Sequence, residues 1–372
     1  MTKKPTVIVS VTNDLFSDRR VEKSCAVPLS LGYDIHLVGR LLPESQDFSR
    51  PYPITRFKLP FRKGFAFYSV YNLRLFFFLL FRKADLLWSN DLDTLLPNFI
   101  ISKLKGIPLV YDSHEYFTGV PEIQNRKMVK GTWTALERFI FPKLSYTITV
   151  NDSIADLFEQ QYGKRPVVVR NIPKKLEVAA VSRAELGLPE VGDLIILQGA
   201  GINVDRGAEE AVMAMKYLEG ITLLIIGGGD VYGQLKELAQ KEGVESKVIF
   251  KSRMDYPLLL QHTALCSLGL SLDKPTNLNY LYSLPNKLFD YIYCGVPVVV
   301  SPVVEVSRIV RHYHLGKVLE AVEPKQIAEA VKSALDDKAR LAERKQNCKK
   351  AAAELSWENE SAKLEALIKS IG

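Results

Sequence analysis

The chain has 372 residues, more than one hydrophobic core usually supports, so two domains are expected. Its 47% hydrophobic and 24% charged residues exclude a disordered, collagenous or low-complexity protein. The formal net charge of +7 favours an anionic partner, and without an RNP box, finger spacing or basic-region helix that partner is not expected to be nucleic acid.

Met1-Thr-Lys-Lys leads directly into an apolar strand pattern, Thr6 to Val11, with no signal-peptide region, so a cytoplasmic location is expected. Further β-branched runs predict strands at 34–38, 54–59, 85–88, 108–112, 146–150 and 167–170. Segments of helical length separate several of them, which predicts a parallel, doubly wound sheet. Phe65 to Phe81 is dense in aromatics and leucines and is flanked by Arg62-Lys63 and Arg82-Lys83. A spanning helix needs ~20 predominantly apolar residues, and Asn72 and Arg74 interrupt this one. It reads as a helix buried against the sheet, or as an interfacial helix with aromatics in lipid and basic ends on phosphates. The second reading places 61–83 in peripheral contact with the inner face of the plasma membrane.

At Asn171-Ile172-Pro173-Lys174-Lys175 the pattern stops, and it restarts with strands at 194–198, 222–226, 247–250, 267–272 and 296–301. A domain boundary is therefore expected near residue 175. Helical segments run from Pro324 to Ile371, the last of them opened by Trp357, with Leu364, Leu367 and Ile371 as docking residues. The four cysteines, Cys25, Cys266, Cys294 and Cys348, show no paired spacing and read as reduced core thiols. Two doubly wound domains bind ligands beyond the carboxyl ends of their strands, so function is sought in the strand-to-helix loops.

Five loops carry candidate chemistry. Gln198 to Gly207 follows a strand and precedes a helix. Its glycines allow close backbone approach, and the helix start offers N–H groups to phosphate. Val204 stands where a dinucleotide fingerprint wants Gly or Ala, so a phosphate loop with Arg206 as its cation fits better than an NAD site. Gly227-Gly228-Gly229-Asp230 follows the next strand. Ser283 to Val298 predicts a short helix capped by Ser283, with Pro285 in its first turn and Gly295-Val296-Pro297 ending it. Its start carries Asn286 and Lys287, suited to diphosphate, and Asp290 one turn on is suited to ribose hydroxyls. In the first half, Tyr111 to Phe117 sets His114 at a strand end, where it can hydrogen-bond or polarise a sugar hydroxyl; His36, His262, His312 and His314 read as structural. Asn13-Asp14, Asp18-Arg19-Arg20, Asn90-Asp91 and Asp93 also follow strands. Asp91 and Asp93 lack a third ligand of suitable spacing, so no metal is expected.

Ser283 to Val298 resembles the donor-site segment of GT-B glycosyltransferases, those of family 4 (glycosyl transferases group 1). Ala200 to Ala211, Leu223 to Gly229, Asp85 to Leu95 and Leu109 to Phe117 are similar to other segments of that family, and Leu355 to Trp357 resembles the point where its last helix returns to the first domain. The resemblance implies two Rossmann-like parallel-sheet domains facing a central cleft, 1–175 on the acceptor side with helix 357–372, and 176–356 for the donor. It implies a retaining, metal-independent transfer from a nucleotide-diphosphate sugar, UDP- or GDP-linked, to a glycan or lipid-linked acceptor in cell-surface polysaccharide synthesis, with no cofactor. The implied catalytic residues are His114 at the transferred sugar, with Arg206 and Lys287 at the diphosphate. The implied donor-binding set is Gly201, Asn203, Gly228, Arg253, Met254, Pro285, Asn286, Leu288 and Asp290. The acceptor-side set is Asn13, Asp18, Arg19, Asp91, Asp93 and Glu115. Asp290 stands where the family has the second glutamate of a pair, and Tyr282 where it has the first. A sugar-nucleotide epimerase of the same architecture, or a non-catalytic nucleotide-sugar-binding protein, are the alternatives.

Overall fold

A computed structural model describes residues 4–16, 18–120 and 126–371. The chain forms two units, Met1–Asn171 with Glu358–Gly372, and Ile172–Trp357. The division falls at Asn171/Ile172, against the 175 expected from the polar segment, because Ile172 is already buried in the core of the second unit.

The first unit holds a seven-stranded sheet in the order β3-β2-β1-β4-β5-β6-β7. Its strands are β1 (Thr6–Asp14), β2 (Asp34–Leu41), β3 (Ile54–Lys58), β4 (Leu86–Asn90), β5 (Leu109–Ser113), β6 (Tyr146–Thr149) and β7 (Val167–Val168). The helices between them are α1 (Arg19–Ser30), α2 (Gly64–Phe81), α3 (Leu95–Lys105), α4 (Lys127–Ile140) and α5 (Asp152–Tyr162). Val7 of β1 pairs with Ile35 of β2 on one side and Leu86 of β4 on the other, both parallel. From β1 the order runs one way to β2 and β3 and the other way from β4 to β7. The carboxyl ends of β1 and β4 therefore flank the switch point, where an open α/β sheet leaves room for a ligand.

The helix α2 is seated against this sheet: Phe67, Tyr71, Leu75 and Leu79, spaced four apart, are buried. The Tyr71 hydroxyl donates to the Val11 carbonyl of β1 at 2.6 Å.

The second unit repeats the plan with six parallel strands in the order β10-β9-β8-β11-β12-β13. They are β8 (Asp193–Gly199), β9 (Ile221–Gly227), β10 (Val248–Ser252), β11 (Leu268–Ser271), β12 (Val298–Val300) and β13 (Gly316–Val318). Around them lie α6 (Ala208–Ala214), α7 (Tyr232–Lys241), α8 (Tyr256–Ala264), α9 (Leu278–Leu281), α10 (Asn286–Tyr293), α11 (Val304–His312), α12 (Pro324–Asp336) and α13 (Lys338–Glu354). Side chains alternate across a strand. Ile195, Leu197, Leu223 and Ile225 thus join one core with α6 and α12, while Leu194, Ile196, Leu224 and Ile226 join another with α10 and α11. Both faces are covered, which is why these strands read as continuous apolar runs. Here the switch point lies between β8 and β11.

Two local expectations are corrected. Ser283 does not cap α10; the capping position is Pro285, in extended conformation and without a side-chain cap bond, so Pro285 precedes the first turn rather than lying in it. β13 was not expected: three residues are too few for a periodic signal. It is set by Gly316, whose Cβ would come within 1.8 Å of the Val298 carbonyl oxygen on β12.

The last helix, α14 (Trp357–Lys369), belongs beyond its first residue to the first unit. Leu364, as expected, and Ile368 are its buried aliphatic residues, while Leu367 and Ile371 are half-buried; Trp357 and Glu360 are buried too, and Glu360 accepts the Arg170 backbone N–H at 2.8 Å.

Candidate active site

In the first unit the end of β1 and the segments after β4 and β5 bring Thr12, Asn13, Asp91, Asp93, His114 and Glu115 around one cavity of about 360 Å³. Arg40, Phe67, Tyr68 and Phe117 complete its wall. His114 sits just past β5. Its backbone N–H donates to Asp91 Oδ1 at 2.8 Å, its Nδ1 lies 3.3 Å from Asp91 Oδ2, and its Nε2 lies 3.1 Å from Asn90 Oδ1 and 3.7 Å from Asp112 Oδ2. Asp91 reaches that position with a left-handed backbone, φ +57°, a conformation Asp tolerates better than most residues. Burial opposes a charge on the imidazole, but the Asp91 and Asp112 carboxylates outweigh it and lift the pKa to about 9. At neutral pH His114 is therefore a cation. Its two N–H groups already face acceptors, Asp91 at Nδ1 and Asn90 at Nε2, so it can donate to a sugar hydroxyl only where that hydroxyl displaces Asn90, and as a cation it cannot take the hydroxyl's proton.

Asp112 is shared. Its Oδ1 accepts from Arg20 Nη2 at 2.6 Å, and Arg20 also donates to the Val169 carbonyl at 3.1 Å. Burial alone would raise the Asp112 pKa, yet Arg20 and His114 hold it well below the carboxylate range. Asp93 is the opposite case: burial and the neighbouring Asp91 charge push it up to about 7. Its Oδ2 accepts from Thr12 Oγ1 at 2.5 Å, while its Oδ1 is buried with no hydrogen-bond partner among the described residues.

Two acceptor-side residues are not in the cavity wall. Asp18 caps α1, Oδ1 accepting the Val21 N–H at 3.0 Å and Oδ2 accepting from Asn13 Nδ2 at 2.9 Å. Arg19 is exposed, and its neighbour Arg20 is the arginine that turns inward. One residue along a helix is a 100° rotation, and only packing against β5 and β7 decides which arginine faces the sheet.

In the second unit the loops after β8 and β9 are clasped together. Ile202 N–H donates to the Gly228 carbonyl at 2.8 Å, and Asp230 N–H donates to Asn203 Oδ1 at 3.2 Å. A Cβ on Gly229, at φ +150°, would stand 2.4 Å from the Ile202 carbonyl oxygen. Arg253 donates to the Ala200 carbonyl and lies where a Cβ on Gly228 would meet its Nε at 3.2 Å. Gly201, Asn203, Gly228 and Arg253 are thus brought to one place.

Arg206 and Lys287 converge on a residue the sequence reading passed over. Arg206 Nη1 is 3.2 Å and Lys287 Nζ 3.5 Å from the same oxygen, Oδ1 of Asp273, just past β11. Asp273 is fully buried, and its Oδ2 and Arg206 Nε have no hydrogen-bond partner among the described residues. The Arg206 guanidinium stacks 4.2 Å from the centroid of Tyr280. Burial, with the Arg206 cation beside it, holds the Lys287 pKa below its usual range against the pull of Asp273. Two cations and one carboxylate leave a net positive charge, poorly solvated, at the switch point of this sheet.

Three other donor-side assignments change. Leu288 is fully buried in the core, and its N–H donates to the Pro285 carbonyl at 3.1 Å, so neither its side chain nor its amide faces a ligand. Met254 packs, half-buried, against that same core. Asp290 is buried as well: Oδ2 accepts from Gln198 Nε2 at 2.9 Å and Oδ1 from the Tyr256 hydroxyl at 2.7 Å. Its carboxylate ties β8 and α8 to α10 instead of standing open to a ribose, one methylene shorter than a glutamate there. Asn286 is exposed at the start of α10. Among the described residues no three His, Cys, Asp or Glu side chains are grouped to hold a metal ion.

Residues 182–355 match the family model of the glycosyl transferases group 1, and residues 29–173 that of glycosyltransferase family 4. No curated protein matches the chain in sequence. Among solved structures, sucrose-phosphate synthase from Thermosynechococcus elongatus superposes with a TM-score of 0.78 at 17% identity, covering 99% of each chain. HepE from Anabaena, in complex with UDP and glucose, gives 0.74 at 16% identity over 98% of this chain and 100% of its own. WaaG, a glycosyltransferase involved in lipopolysaccharide biosynthesis, gives 0.75 at 16% over 96% of this chain and 98% of its own. Two Rossmann-like parallel sheets and these family matches define a glycosyltransferase of the GT-B fold. Within that class the chain is a family-4-like enzyme.

Proposed function

We propose that this enzyme transfers a sugar, with retention and without a metal, from a UDP- or GDP-sugar to a glycan or lipid-linked acceptor in cell-surface polysaccharide synthesis. The observation that carries the reading is the convergence of Arg206 and Lys287 on Asp273 Oδ1 beside two clasped glycine loops. A diphosphate oxygen entering there takes both cations over from Asp273. The first N–H groups of α10, at Asn286 and Lys287, lack intrahelical acceptors and add positive potential. HepE in complex with UDP-glucose supports a UDP-linked donor, and WaaG supports an envelope glycan as product.

In the transfer, the bond from the anomeric carbon to the diphosphate oxygen breaks and its electron pair leaves with the diphosphate. The acceptor oxygen bonds to the same face of that carbon, and its proton passes to the departing phosphate oxygen. Fixed cations at the leaving group stabilise the charge as it forms, the kind of contact whose removal costs ~10²–10³ in rate. His114, cationic between Asp91 and Asp112, holds a sugar hydroxyl and is not the proton acceptor.

Thermal shift with UDP and with GDP tests the donor site. Saturation at a hundred times the dissociation constant stabilises the folded chain by ~2.7 kcal/mol. The shift is expected with one of the two and is lost in Lys287→Ala and Arg206→Ala. Wild-type turnover in both variants overturns the site.

A further inference from the structure

The outer surface of the first unit carries an apolar face that its own fold does not cover. On α2, Phe65, Leu73, Phe77 and Phe81 are exposed, two of them by 83% and 79%. They recur at multiples of four residues and so form one stripe along the helix, opposite the buried Phe67, Tyr71, Leu75 and Leu79. On α3, which packs beside α2, Leu96, Ile100 and Leu104 repeat the pattern. Lys105 binds the two helices at one end, its Nζ donating to the Leu79 and Arg82 carbonyls at 2.7 and 2.6 Å.

Cations rim this face. Arg62 and Lys63 precede α2, Arg82 and Lys83 follow it, and Lys103 lies on α3, all exposed. Arg82 leans over Phe78 and Lys103 over Phe99, at 5.3 and 5.6 Å from the ring centroids. An 18-residue helix of mean hydropathy 1.5 is apolar enough to cross a membrane. α2 cannot do so while one of its faces is packed in the sheet and Tyr71 is bonded to β1. It can only lie flat.

We infer that the α2–α3 face docks on an anionic lipid bilayer, with Phe65, Phe77 and Phe81 in the acyl boundary and the rim cations on lipid phosphates. One element then serves two surfaces, because Phe67 and Tyr68 of the same helix line the cavity that holds His114. On the reading of that cavity as the acceptor side, docking brings it to the height at which a lipid-linked acceptor emerges.

Co-sedimentation with unilamellar vesicles tests the docking and needs neither donor nor acceptor, so it stands or falls apart from the transfer reaction. The chain is expected to sediment with vesicles containing phosphatidylglycerol and not with pure phosphatidylcholine, and to be released by salt. Each rim cation is worth about fivefold in partitioning, so Arg62→Gln with Lys63→Gln, Arg82→Gln and Lys83→Gln should lower it several hundredfold, on the order of 5⁴. The triple change Phe65→Ser, Phe77→Ser, Phe81→Ser should abolish it with the melting temperature unchanged. Equal sedimentation of wild type and the phenylalanine variant overturns the proposal. So does indifference to lipid charge, or a concentration-dependent dimer that the triple change dissolves, which would make the face a surface for a second copy.

Discussion

Asp273→Asn removes one charge and almost no volume, and it reads directly on the centre of the proposed donor site. In the native chain Asp273 Oδ1 lies 3.2 Å from Arg206 Nη1 and 3.5 Å from Lys287 Nζ, with Asp273 fully buried. At an effective dielectric of about 20, each contact carries a gross attraction of about 5 kcal/mol. The net loss is smaller, since Lys287, already held below its usual pKa by burial, can release its proton rather than stay charged. Removing one partner of a buried ion pair typically costs 3–5 kcal/mol, and about 3 is expected here. For a unit of this size that lowers the melting temperature by roughly 6–12 °C. A diphosphate no longer has to compete with the carboxylate, so UDP or GDP should raise the variant's melting temperature at least as much as the native chain's. Differential scanning fluorimetry with and without nucleotide reads both quantities. An Asp273→Asn protein that melts with the wild type would show that the two cations do not depend on this carboxylate, and the account of the site would fail.

Other expectations follow from single features. His114 has a folded pKa raised to about 9, above the unfolded value near 6.5, so the stability it contributes is present below that value and is lost as pH rises through 9. Asp93 and Glu137, both raised to about 7, are mostly ionised by pH 7.5, and because His114→Gln keeps both of them, their remaining titration cancels in the comparison of the two proteins. Between about pH 7.5 and 9 the native chain should lose roughly 2 kcal/mol by urea denaturation that His114→Gln does not lose; parallel curves would refute the imidazolium. Gly229→Ala would set a Cβ 2.4 Å from the Ile202 carbonyl oxygen, 2.5 Å from its nitrogen and 2.7 Å from Asn203 Oδ1, so all three must shift, at a backbone angle costing about 1–3 kcal/mol, and it should weaken nucleotide binding at least tenfold by calorimetry. By contrast Gly131→Ala, in the middle of α4 with open space around its Cβ, should stabilise the chain by about 0.5–1 kcal/mol.

Much of the fold is legible because a parallel sheet covered on both faces writes itself as β-branched runs, as β1, β8 and β9 do. What is not legible is decided by packing across the sheet. Arg19 and Arg20 look alike in the sequence, and only the carboxylate of Asp112, far along the chain, selects Arg20. Asp290 has the spacing of a ligand-facing residue on α10, yet Gln198 and Tyr256, from other elements, draw its carboxylate into the interior. Leu288 shares the same helix start as Lys287 and turns the other way, into the core.

Asp273 is a different matter, because a signal for it was there. It follows the apolar run of 267–272 as Asp91 follows the run ending at Trp88, and a carboxylate just past a buried strand is placed by the fold at the ligand end of the sheet. The two units put the same device to different uses. After β4, Asp91 meets His114, and Asp112 with its partner Arg20 completes the group, so two carboxylates face two cations and charge is nearly balanced beside the cavity. After β11, Asp273 meets two cations and is outnumbered, so the surplus is positive and suited to a diphosphate. On the proposed function, one topological position, read through its surplus of charge, thus distinguishes the side assigned to sugar hydroxyls from the side assigned to the leaving group.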